Sequence, residues 1–207
     1  LSLLTSNRIR NSFDVESEKS EVRDKYGRTL FGNSALIARN LVEEGVRFVN
    51  VTWDAFWTRP AKIDGTTWDT HQRNFGICRE TLLPQYDLTF SGLMDDLENR
   101  GTLDETLVVV MSDMGRTPKI NKNAGRDHWP RVSSALLACG GMKTGQVIGQ
   151  TDRQAGEAIE RPVLFEEVYA TLYRNMGINL NSDRLFDFRG RPQYLIPPGT
   201  KPLDELI

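Results

Sequence analysis

Apolar positions change period several times along the chain, and each change marks an element. Over residues 33–44 they fall at Ile37, Leu41 and Val42 with Ala38 beside them, which gives one face of a helix. Gly45 follows as its cap. Residues 46–53 are rich in Val and aromatic side chains and read as a buried strand. Residues 54–69 carry Pro60 and Gly65 and read as a loop. Phe75, Cys78, Leu82, Tyr86, Phe90, Leu93 and Leu97 then recur at steps of three and four. This predicts a long helix, closed by Gly101, that Pro84 must kink or divide.

A second strand is predicted over residues 106–111, where Leu107 to Val110 is wholly apolar, as in a strand covered on both faces. Residues 112–131 show no period, and unpatterned loops of that length are often functional. A third strand is predicted over 132–138, ended by Gly140-Gly141, and a helix over 162–176, capped by Gly177. Residues 1–25 read as an irregular lead-in with one helical turn near Glu16, and residues 178–207 as an irregular tail. Alternation of helix and buried strand predicts an α/β layered fold with a largely parallel sheet flanked by helices. Sites in such sheets form beyond the carboxyl ends of strands, which points to the segments after Trp53, Met111 and Ala138.

Composition narrows the classes. The chain has 207 residues, 26 Lys+Arg and 28 Asp+Glu, so its net charge of −2 gives no broad footprint for nucleic acid. Its apolar runs fall far short of the roughly 20 residues that cross a bilayer. The two cysteines, Cys78 and Cys139, are too few for a disulfide scaffold and read as small buried side chains.

The candidate chemistry lies in three loops. Trp68-Asp69-Thr70-His71 offers a carboxylate and an imidazole, both good ligands for zinc or manganese. The alternative is that Asp69 caps the next helix and His71 lies on the surface. Asp113 follows the second strand almost directly, and Arg116 could pair an anionic group in a bidentate way. The alternative there is a turn with a structural Asp–Arg pair. Gly125-Arg126-Asp127-His128-Trp129-Pro130 repeats the theme, with a hydrogen-bonded loop histidine as its alternative. The chain has only these two histidines, both in Asp-His contexts, and Asp113 lies between them in sequence. Convergence of Asp69, His71, Asp113 and His128 on one metal site is the joint expectation.

These motifs also carry a resemblance. Trp68-Asp69-Thr70-His71 with Phe75, the run Leu103-Asp104-Glu105-Thr106-Leu107-Val108-Val109 leading to Gly115-Arg116-Thr117-Pro118, Gly125 to Pro130, and Gly145-Gln146-Val147-Ile148-Gly149 resemble a bacterial family. Tyr26-Gly27-Arg28 and Glu44 to Val49 fit as well. The family is the sulfatase-like group called domain of unknown function 1501, similar to the alkaline phosphatase superfamily. The resemblance implies that residues 1–207 form the carboxyl-terminal part of a single alkaline phosphatase-like domain. The missing amino-terminal half would supply further strands, another metal-binding Asp and the Ser or Thr nucleophile. It implies Asp69, His71 and His128 as ligands of one divalent metal, zinc foremost, with manganese or calcium as alternatives, and Asp113 as a ligand of a second. Arg116 and Arg126 would neutralise the anion. Met114 departs from the pattern, since many superfamily members have His there and a thioether suits a hard ion poorly. The implied activity is hydrolysis of sulfate or phosphate esters, with small anionic esters or sulfated glycans as partners and an exported or periplasmic location. The alternative is an inactive anion- or glycan-binding protein on the same fold.

Overall fold

Residues 6–53 and 67–207 are described by the computed structural model, and among them helices outweigh strands. The chain divides into two units, one of residues 1–102 with 119–127 and one of residues 103–118 with 128–207.

The first unit is helical: α1 (Asn7–Asn11), α2 (Ser20–Tyr26), α3 (Leu30–Glu43), α4 (Asn74–Ile77) and α5 (Leu83–Asn99). Thr29 starts α3 by accepting the Gly32 N–H at 3.0 Å. The predicted stops are seen. After α3 the N–H of Gly45 donates to the Val42 carbonyl and that of Val46 to the Leu41 carbonyl, and α5 ends the same way at Gly101 and Thr102. This pair of hydrogen bonds needs a left-handed residue, and the glycines supply it at φ +88° and +69°. Pro84 divides the predicted long helix. A single π turn, Cys78–Leu82, separates α4 from α5, and the Leu83 N–H donates to the Cys78 carbonyl. Widening the turn here accommodates a residue that has no N–H to donate.

Two expectations are corrected in this unit. The stretch 1–25 is not an irregular lead-in over its described part, because α1 and α2 flank the expected turn, a 3-10 helix at Val15–Ser17. Both helices are too short for their own periodicity to reveal them. Contact fixes them: Val22 of α2 packs against the core of Tyr26, Ala35 and Leu36, as does Val15 of the 3-10 turn, while in α1 Ile9 is buried and Arg8 pairs with Glu44. Residues 46–53 form no strand, and Phe48 is exposed. Strand propensity is realised only against a partner ladder, and none pairs with this stretch among the described residues. Most of the predicted 54–69 loop, residues 54–66, lies outside the described residues.

Beside the apolar core sits an ionic one. Arg39, with a side chain only 2% exposed, reaches Glu18 at 2.7 Å, Glu43 at 3.1 Å and Asp96 at 2.9 Å. Arg100 reaches Asp96 at 2.8 Å and Glu43 at 2.6 Å, and the Tyr26 hydroxyl donates to Asp96 at 3.0 Å. Burial works against the Glu18 carboxylate. The hydrogen bonds from Arg39 and the Lys19 N–H, with the charges of Arg39 and Arg100, outweigh it and hold Glu18 below its ordinary value of 4.5. A carboxylate depressed in the fold contributes stability above its unfolded pKa and loses it as pH falls through the folded one. Stability is therefore expected to fall below about pH 4.5, and less steeply in Glu18→Gln. Thermal melts of both proteins from pH 7 to 3 check this; parallel pH profiles would contradict it.

The second unit carries the strands: β1 (Leu107–Met111), β2 (Gly115–Arg116), β3 (His128–Trp129), β4 (Ala135–Cys139), β5 (Gln150–Thr151), β6 (Ala158–Glu160), β7 (Leu185–Phe186) and β8 (Pro192–Gln193), with the helix α6 (Phe165–Asn175). Helices and strands are mixed, as expected, but the largely parallel sheet is not among the described pairings. All four are antiparallel: β1 with β4, β2 with β3, β5 with β6 and β7 with β8. Parallel neighbours need a long crossover, usually a helix, and the chain between β1 and β4 contains none. The core of this unit is Val168, Leu203 and Leu206, with Leu137, Met142 and Ile148 packed against it. The expected irregular tail is short of regular structure but tied down. The Leu203 N–H donates to Thr171 Oγ1 at 2.9 Å, the Lys143 N–H to the Leu206 carbonyl at 3.0 Å, and Arg161 pairs with Glu205 at 2.7 Å. Cys78 and Cys139 form no disulfide, and both are half-buried rather than buried. No described helix is long and apolar enough to cross a membrane.

Candidate metal centre

In the first unit a column of aromatic rings leads to the first motif. Phe31 of α3 stacks on Trp53 at 4.2 Å between centroids, Trp53 meets Trp68 edge-on at 5.4 Å, and Trp68 meets Tyr86 of α5 at 6.4 Å. Trp68 is thus held between Trp53 and Tyr86, and Asp69 to His71 follow from it. The chain turns tightly here, with the Thr70 N–H donating to the Trp68 carbonyl and the His71 N–H to the Asp69 carbonyl. Thr70 points inward, 4% exposed, and donates to Asn74 Oδ1 at 2.5 Å. Asp69 does not cap the next helix: Arg73 stands at the cap position of α4, with no side-chain cap bond.

This segment is joined along its length to residues 121–127. The Arg73 N–H donates to the Asn123 carbonyl, the Asn74 N–H to Ala124 and the Arg126 N–H to Thr70. Asn121 is the hub. Its Nδ2 donates to the His71 carbonyl at 3.0 Å and to Asp127 Oδ1 at 3.1 Å. Its Oδ1 accepts the N–H groups of Asn123 at 2.9 Å and Gly125 at 3.0 Å. The result is a constellation around one imidazole: His71 Nδ1 lies 2.6 Å from Asp127 Oδ1, and its Nε2 lies 3.1 Å from Asp69 Oδ1. All three side chains are about half exposed, so a solute can reach them.

Carboxylate oxygen and imidazole nitrogen suit zinc or manganese. Two such ligands on one zinc, each about 2.0 Å from it at a tetrahedral angle, lie roughly 3.3 Å apart. The 3.1 Å between Asp69 Oδ1 and His71 Nε2 fits that spacing. Asp69 and His71 are brought together as the sequence suggests. Arg126 belongs to the same unit, with its guanidinium 5.5 Å from the centre of the Phe75 ring. The remaining candidates are in the second unit. Asp113 is exposed in the turn between β1 and β2, where Ser112 Oγ donates to it at 3.1 Å. Arg116 and His128 stand opposite each other in the β2–β3 ladder.

Asn121 and Asp127 were missed as site residues by the sequence reading. Asp127 had a signal, being the carboxylate directly before His128. Asn121 had none, because its role depends on two segments 50 residues apart.

No curated protein and no solved structure matches the chain. A family model matches residues 2–207, and the chain therefore belongs to the family described as protein of unknown function (DUF1501).

Proposed function

We propose that this chain carries the cation-holding residues of a metal-dependent hydrolase of sulfate or phosphate esters. The observation behind the reading is the placement of Asp69 Oδ1 3.1 Å from His71 Nε2 on an accessible edge of the first unit. In this reading Asp69 and His71 hold one divalent cation, zinc foremost and manganese or calcium as alternatives. His128, one peptide bond beyond Asp127, joins them. Asp113 holds or orients a second ion, and Arg116 and Arg126 neutralise the anionic ester. A bound divalent cation supplies Lewis acidity toward a phosphoryl or sulfuryl oxygen and lowers the pKa of a coordinated nucleophile. The nucleophile lies on a segment outside these residues. So do the further strands of an alkaline phosphatase-like sheet, which the wholly apolar β1 would join. Small anionic esters or sulfated glycans are the substrates, and the protein acts outside the cytoplasm.

Elemental mass spectrometry on the intact protein tests the reading. Divalent metal is expected in the wild type and is expected to be lost in a His71→Ala, His128→Ala double variant. Sulfate and phosphate esters turned over above a chelated control establish hydrolysis. Metal without turnover favours the second reading, an inactive anion- or glycan-binding protein. Met114 supports that alternative, since it stands where many of the resembled enzymes carry a histidine. A folded protein that takes up no zinc, manganese or calcium overturns the hydrolase reading and leaves the anion- or glycan-binding one.

A further inference from the structure

We infer that Asp127 is a positioning residue: clamped by Asn121, it accepts a hydrogen bond from the Nδ1–H of His71 and so leaves the Nε2 lone pair on the side of Asp69. The consequence for cation binding rests on the function proposed above; the inference about the imidazole itself does not.

A neutral imidazole has one N–H and one lone pair, so one ring nitrogen donates and the other accepts. Two carboxylates compete for that proton. Asp127 Oδ1 is 2.6 Å from Nδ1, a charge-assisted distance, whereas Asp69 Oδ1 is 3.1 Å from Nε2. The shorter contact favours the proton on Nδ1. Asn121 then prevents Asp127 from turning away, because one amide nitrogen holds both the Asp127 carboxylate and the His71 carbonyl. The orientation of that amide is itself determined. Its oxygen accepts two backbone N–H groups, so a flipped amide would set its NH2 against donors and its oxygen against acceptors. Backbone on both sides thus holds Asn121, and Asn121 holds Asp127 against the imidazole.

A carboxylate on the far nitrogen also raises the basicity of the near one. Such partners are worth about 10–100-fold in metal affinity. Asp127 thus acts through His71.

The test uses metal-free intact protein at pH 8.5, with 15N NMR of the imidazole signals and a His71→Gln difference spectrum to assign them. Wild type is expected to show His71 as the Nδ1–H tautomer. Asp127→Ala is expected to move the proton to Nε2, toward Asp69. Asp127→Asn keeps the size and an accepting oxygen without the charge, so it is expected to retain much of the tautomer. Zinc titration by calorimetry is expected to show a loss of about 10–100-fold in Asp127→Ala and a smaller one in Asp127→Asn. Asn121→Ala, which leaves every candidate ligand in place, is expected to loosen the tautomer preference. A wild-type Nε2–H tautomer overturns the inference, as does an unchanged tautomer in Asp127→Ala. The two readings fail separately. Wild type that binds no cation but shows the Nδ1–H tautomer defeats the proposed function and leaves the positioning role intact. Zinc bound equally by wild type and Asp127→Ala, with the same His71 tautomer in both, does the reverse.

Discussion

Arg39→Ala is expected to destabilise the first unit by about 3–5 kcal/mol, the cost of removing one partner from a buried ionic cluster. The charge count gives the reason. Glu18, Glu43 and Asp96 converge on two guanidiniums, those of Arg39 and Arg100. With Arg39 present the cluster is one negative charge in excess. Without it three carboxylates share Arg100 alone, in a place where Arg39 itself is 2% exposed. The Tyr26 hydroxyl, fully buried and donating to Asp96, loses its electrostatic counterweight as well. Burial already holds the Tyr26 phenol well above the ordinary range, with the Asp96 charge acting in the same direction.

A further expectation separates this account from simple loss of packing. Carboxylates that repel one another bind protons more readily, so the Arg39→Ala penalty shrinks as pH falls from 7 toward 4. A methylene-packing effect has no such dependence. Arg39→Lys keeps the charge but offers one compact ammonium in place of a planar fork that meets three partners, and is expected to fall between wild type and Arg39→Ala. Chemical denaturation of the three proteins at pH 7 and pH 4.5 measures both points. A penalty below about 1 kcal/mol at pH 7, the range of surface pairs, would show that the cluster is solvated rather than structural.

Arg39 also illustrates what the sequence conceals. The apolar face of α3 is legible because Ile37, Leu41 and Val42 repeat at helical spacing, and its end is legible because Gly45 stands where a left-handed residue is needed. An arginine among them reads as part of the polar face. Its burial is decided by Glu18 and Asp96, which lie 21 and 57 residues away, and no local pattern encodes that. The same holds for α1 and α2, which contact fixes through Ile9 and Arg8 in the first and Val22 in the second. Local chemistry gave Pro84 its place at the division between α4 and α5. The strand expected over residues 46–53 failed for the opposite reason, since propensity was present and a described partner was not. In the site, ligand-type residues were visible as residue types, so Asp69 and His71 could be paired. The asparagine that joins their segment to Asp127, and the glycine that lets the two segments touch, carry no signature of their own.

That glycine is the second place where a large effect is expected. A Cβ at Gly125 would lie 1.9 Å from the His71 carbonyl oxygen, 2.0 Å from its carbon and 2.5 Å from the Gln72 nitrogen. These are backbone atoms and cannot swing aside as a flexible side chain can. Gly125→Ala must therefore part the two segments. Parting them strains together the Gly125 N–H bond to Asn121, the Arg126 N–H bond to Thr70 and the contact of Asp127 with His71. Overpacking usually costs about 1–3 kcal/mol, and a clash with backbone belongs at the upper end. In the proposed cation site the loss of zinc affinity is expected to be at least about ten-fold, because the carboxylate proposed to orient His71 moves away from it. Gly76→Ala is the control. It lies in α4 with nothing within 4 Å of an added Cβ, so the helix is expected to gain about 0.5–1 kcal/mol from the same substitution. Thermal midpoints for both variants, read alongside zinc titrations, make the comparison. Equal midpoints would mean that residues 71 and 125 do not touch in solution, and the cradle around His71 would have to be abandoned with them.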